Sequence, residues 1–150
     1  MKRNIALAAL LAAACGRLNE LPTGPADGPP PVDPTATFTR VQREIFTPSC
    51  AVIGCHDPIG RQEGMVLSEG RAYASIVRVP SQQMPQLLRI DPADTFTPGT
   101  GGGPSSSSYL FRKIIGAGIT GDRMPQGGPF LTQAQINLIR DWIRRGAPND

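Results

Sequence analysis

The chain has 150 residues, 39% hydrophobic and only 5% aromatic, and its 16 prolines and 17 glycines limit it to one modest domain with much loop and a small core. Its 15 basic and 12 acidic side chains give a formal net charge of +3. They are interleaved along the chain, and the missing basic stripe excludes nucleic acid as a partner.

In chain order, the first element is residues 1–14, MKRNIALAALLAAA. Lys2 and Arg3 precede an apolar run, Ile5 to Ala14, that is too short to span a bilayer, the pattern of an export signal. The segment ends Ala-Ala-Cys-Gly and resembles a bacterial lipoprotein signal, with Ala12 where that pattern most often has leucine. The resemblance implies cleavage before Cys15, lipidation of Cys15 and a membrane anchor on the periplasmic side or the cell surface. An ordinary signal cut after Ala14, with Cys15 left as a spare thiol, uses the same residues. Loss of Lys2 and Arg3 would leave 13 basic against 12 acidic side chains, so the mature chain is close to neutral.

Residues 15–37 carry Pro22, Pro25, Pro29, Pro30, Pro31 and Pro34 among Gly, Asp and Thr. Such chain favours polyproline II at about 3.1 Å per residue and would hold a domain up to roughly 60 Å from an anchored end. A disordered extension has the same composition.

The folded domain is expected over residues 38–150, all-α. Phe38, Val41 and Ile45 recur at helical spacing, Thr37 stands at the cap position, and Pro48 should stop the helix before Cys50. Gly70 to Val79 and Ser107 to Ile115 have helical character, the second with serines as caps and Leu110 and Ile114 four apart. Thr97 to Ser106, with PGTGGGP, reads as a surface insertion. Thr132 and Gln135 form a T-x-x-Q capping box ahead of Ile136, Ile139, Trp142 and Ile143, and Gly146 supplies the stop. The two apolar stripes, at the start and end of the domain, are expected to pack on each other. No strand-pairing pattern is present.

Two of the chain's three cysteines and its only histidine fall within TPSCAVIGCHDP, as Cys50, Cys55 and His56. C-x-x-C-H is the attachment signature of covalent haem, in which two thiols add to the two vinyl groups and the adjacent histidine binds iron. Here the spacing is C-x4-C-H, with small or apolar residues looped out between the thiols. A local Cys50–Cys55 disulfide beside an incidental histidine fits the same residues, and makes the chain a disulfide-stapled cell-surface interaction module without haem. Zinc would need ligands beyond this adjacent Cys-His pair.

A haem iron held by His56 needs a second axial ligand, and with no other histidine a methionine thioether is the expected choice. Met124, in the irregular GDRMPQGGPF segment, is the candidate; core filling is the alternative role, and Met84 is a stronger rival than Met65. Arg89 and Arg123 are read as solvated by default, with pairing to a haem propionate as the alternative role.

The segment Tyr109 to Pro148, with its Met-Pro loop and closing helix, resembles the C-terminal half of single-haem class I bacterial cytochrome c domains. The resemblance extends over roughly Phe38 to Ala147. It implies one covalent haem c, thioether-linked through Cys50 and Cys55, with His56 as proximal and Met124 as distal ligand. It also implies an electron carrier with a redox partner protein rather than an enzyme, since an oxygen-activating haem keeps one iron face open and a distal acid–base group beside it.

Overall fold

A computed structural model describes residues 31–96 and 106–150. The export signal, Cys15, most of the Pro-rich tether and the PGTGGGP segment lie outside the described residues. The compact unit begins at Pro31. Residues at the end of the tether take part in it: Ala36 is fully buried, and the Asp33 carboxylate accepts hydrogen bonds from Thr35 and Arg40.

The described residues are all-α, with α1 (Phe38–Val41), α2 (Ala72–Ile76), α3 (Tyr109–Ile115) and α4 (Gln133–Arg144). Among them there is no strand, only isolated bridges that join Val77 to Ile90, Pro80 to Leu88 and Leu88 to Ser108. Thr37 caps α1, its hydroxyl accepting from the Arg40 amide at 3.2 Å. The expectation that Pro48 stops this helix is corrected: α1 runs on through Gln42–Cys50 as a π-helix with Pro48 inside it. Proline lacks an N–H and crowds the carbonyl four residues back. The wider i to i−5 ladder relieves that crowding, as in the 2.8 Å bond from the Ala51 amide to the Phe46 carbonyl. The π-helix therefore ends on Cys50 itself.

Two further elements differ from the sequence reading. The helix expected over Gly70 to Val79 shrinks to Ala72–Ile76, because Val77 turns extended to bridge Ile90 and Arg78 takes a left-handed φ of 59°. Ser108 occupies the N-cap position of α3 without capping it. Its hydroxyl accepts from the Asp91 amide at 3.0 Å, drawn off to close the base of the 94–106 connection.

The core lies where the two ends of the unit meet. α1 and α3 both pack on α4. Phe38 packs tilted on Trp142 with ring centroids 5.4 Å apart and edge-to-face on Tyr73 at 5.2 Å. Val41, Ile45, Ile139, Trp142 and Ile143 are fully buried, each such aliphatic or aromatic side chain contributing roughly 1.5–3 kcal/mol. The indole of Trp142 donates to the Pro148 carbonyl at 2.9 Å, so its one polar atom is satisfied.

α4 starts at the capping box foreseen in the sequence. The Thr132 hydroxyl accepts from the Gln135 amide at 3.3 Å, and the Gln135 side chain accepts from the Thr132 amide at 2.9 Å. Thr132→Ala is expected to lower stability by about 1 kcal/mol, read as a shift of the urea midpoint at constant slope.

Candidate functional site

The Cys50–His56 loop is shaped by its own backbone and by one carboxylate. The His56 amide donates to the Cys50 carbonyl at 3.2 Å, closing the loop, and the Cys55 amide donates to Val52 at 3.0 Å. Gly54, at φ 82°, makes the return bend. Of the looped-out residues Ile53 points away, 94% exposed, while Val52, 41% exposed, lines the cavity and Ala51 packs on the core. Asp57 then gathers the amides of Gly60 at 2.8 Å, Gly54 at 3.1 Å and Ile59 at 3.3 Å. A Cβ on Gly60 would lie 2.5 Å from the Gly54 carbonyl carbon, so only glycine fits there.

These amides, with Gly60 first, hold the Asp57 carboxyl below its ordinary value of 3.8. A carboxyl whose folded-state pKa is depressed stabilises the fold above its unfolded value, and the contribution is lost as pH falls through the folded one. Asp57→Asn should therefore melt below the parent chain at neutral pH. The difference should close as pH falls below about 3.8, in melting curves recorded across the acid range.

His56 is buried, and its Nδ1 lies 3.1 Å from the Gln62 carbonyl. A carbonyl only accepts, so Nδ1 carries the proton and the lone pair of the neutral ring sits on Nε2, the usual arrangement of a ligand histidine. Burial holds the ring's proton affinity below that of ordinary histidine, opposed by the backbone carbonyls of Gln62 and Met65. Cys50 and Cys55 are both free thiols, the first half-buried and the second exposed. Burial, with the Cys55 sulfur nearby, pushes the Cys50 thiol up to about 12.

Cys50, Cys55, His56 and Met124 line one cavity of about 550 Å³, within the range of small-molecule and cofactor sites. Six parts of the chain meet there: the π-helix, the loop after it, the 81–89 segment, α3, the segment before α4, and α4 itself through Ile139. Met124 is set in place from α3, its amide donating to the Lys113 carbonyl at 2.9 Å while Arg123 Nε donates to the Ile114 carbonyl at 2.8 Å. The order of the rival methionines is reversed. Met65 lines the cavity, whereas Met84 lies outside its wall, its sulfur near Gln86 and Thr120 side chains.

The wall is divided in character. Ile45, Phe46, Leu67, Leu110, Leu131 and Ile139 make an apolar body, and Arg89, Lys113, Tyr109 and Ser81 a polar end. Arg89 and Lys113 are buried, not solvated. Their nitrogens bond to backbone carbonyls, Arg89 to Ser75 and Glu63 and Lys113 to Thr120, and among the described residues neither is in an ion pair. The sequence signals were an arginine inside the apolar run LLRI and a lysine four residues after Tyr109 on the apolar face of α3. Arg123 differs again, lying 4.3 Å over the Phe130 ring.

Among the described residues no group of three or more His, Cys, Asp or Glu side chains gathers as a metal site, and no helix is long and apolar enough to cross a membrane. Comparison with protein-family models, with curated proteins and with solved structures finds no match.

Proposed function

We propose that residues 38–150 are a small cytochrome c-like domain that holds one covalent haem c and passes single electrons to and from a redox partner protein. The observation that carries this reading is the convergence of Cys50, Cys55, His56 and Met124 on one cavity lined by apolar side chains together with Arg89 and Lys113. The residues fit the group. Two unpaired thiols suit two vinyl carbons, and the Nε2 lone pair of a ring held at Nδ1 suits iron. The apolar walls suit the macrocycle, and the buried Arg89 and Lys113 suit its two carboxylates.

Haem, when bound, supplies reversible one-electron chemistry at iron. The chain does the rest. Cys50 and Cys55 would hold the group by two thioethers, each thiol adding its S–H across one vinyl double bond, and would fix its orientation. His56 and Met124 would hold the iron, which would then exchange electrons rather than activate a substrate. Ile45, Phe46, Leu110 and Ile139 keep water from the site and lower its dielectric. The chain is exported to the periplasmic side or the cell surface and anchored to a membrane by lipid on Cys15, with the Pro-rich segment as its tether.

The test is an absorption spectrum with intact-mass analysis after expression in a host that matures cytochromes c. A low-spin haem spectrum with the mass of one haem added is expected, together with the mass of a diacylglyceryl group on a chain that starts at Cys15. A colourless protein with the mass of a Cys50–Cys55 disulfide overturns the haem reading.

A further inference from the structure

Residues 61–64 carry the carbonyl that fixes His56, and they hold an unfavourable conformation in the open. Arg61 and Glu63 take left-handed φ values of 44° and 54°, a strained conformation for any residue but glycine. All four residues are exposed, so packing does not hold them. Hydrogen bonds do. At the near end the Gln62 amide donates to the Cys55 carbonyl at 2.9 Å. At the far end the Arg89 guanidinium donates to the Glu63 carbonyl at 2.6 Å and, at a longer 3.5 Å, to the Gly64 carbonyl.

The same guanidinium is tied to the body of the unit, donating to the Ser75 carbonyl in α2 at 2.7 Å. The Arg89 backbone is tied as well, its amide donating to Val79 at 2.7 Å and its carbonyl accepting from Leu110 in α3 at 3.0 Å. The planar fork thus spans from the helices to the exposed turn, a geometry that one lysine nitrogen does not reproduce. Gln83 holds only the Glu63 side chain, at 3.2 Å.

We propose that Arg89 is the positioning residue of His56: it clamps the 61–64 turn to α2, and the clamped turn holds the Gln62 carbonyl against the ring's Nδ1–H. The ligand role of His56 rests on the function proposed above, whereas the clamp is measured without it.

The chain holds one histidine and one tryptophan, so ring-nitrogen labelling gives one N–H signal from each neutral ring. Solvent exchange of the His56 Nδ1–H reports the clamp, and that of the Trp142 Nε1–H, bonded to Pro148, reports the stability of the core. Both are read in the full chain, with or without haem. In Arg89→Gln the His56 proton should exchange at least about tenfold faster, the size of one charge-assisted hydrogen bond, with Trp142 unchanged. Arg89→Lys should fall between Gln and the parent.

If Arg89→Gln does not fold, the same comparison in Arg89→Lys decides. Exchange at His56 that stays at the parent rate, or that rises only in step with Trp142, overturns the clamp. Haem staining of the same samples scores the functional reading separately.

Discussion

Exchange of both Cys50 and Cys55 for alanine is expected to remove all haem from the denatured polypeptide, whereas either single exchange should leave a stain that survives denaturation. The longer loop of C-x4-C-H bulges outward at Ile53, 94% exposed, and Gly54 turns the chain back. Both thiols still line the cavity beside His56. The bulge therefore changes the loop and leaves the Cys-His adjacency that sets the imidazole against the iron.

The two thiols should not contribute equally. Cys55 is exposed, while Cys50 ends a π-helix in a half-buried place where its thiol is pushed up to about 12. Thiol reactivity follows thiolate character and access. Cys50→Ala should then retain more haem than Cys55→Ala, measured by haem stain per polypeptide after maturation in the same host, with a pyridine spectrum intermediate between two links and none. A double variant that stains as strongly as the parent chain would overturn the covalent assignment.

Local rules made much of this legible. The Thr37 and Thr132 caps, the T-x-x-Q box and the Gly146 stop depend on residues within one turn of each other, and each is found in place. The packing of α1 on α4 was readable because each carries a strong apolar stripe. What failed was set by contacts distant in sequence. Ser108 reads as a cap until Asp91 takes its hydroxyl. Val79 reads as helical until Arg89 donates to its carbonyl. Arg89 reads as solvated until the 63–64 turn folds over it, and no spacing rule places a carbonyl from one loop beside a guanidinium from another.

The candidate site divides along the same line. Cys50, Cys55 and His56 are adjacent in sequence and could be found as a motif. Lys113, Tyr109 and Met65 join them only because α3 and the loop after His56 close on one cavity. The rank of the methionines shows the difference. Sequence distance from His56 argued against Met65 and for Met84, yet the bridge from Pro80 to Leu88 holds that stretch where Met84 stays outside the wall.

Met124→Ala is expected to keep haem on the cysteines while turning the iron high-spin, open to small added ligands and lower in reduction potential. His56 is the only imidazole in the chain, so a second strong-field nitrogen from histidine does not exist. Among the cavity-lining residues Met65 and Met124 are the thioethers. Met65 sits on the loop that carries His56, where the Leu67 amide donates to the His56 carbonyl at 2.7 Å. Met124 comes from a separate segment, tied through its amide to α3 and steadied by Arg123 between the Ile114 carbonyl and the Phe130 ring.

A ligand on an independent support can approach the iron face that His56 does not use. Loss of a thioether removes an axial ligand that raises the potential of cytochromes c, and the vacated face would admit carbon monoxide or cyanide. Met65→Ala serves as the control and should stay low-spin, with at most the loss of packing that a truncated methionine brings, about 2–5 kcal/mol if fully buried and less at this half-buried place. The measurements are the ferric and ferrous absorption spectra and a redox titration of each variant. A low-spin spectrum that persists in Met124→Ala and is lost in Met65→Ala would give the distal position to Met65 and return Met124 to core filling.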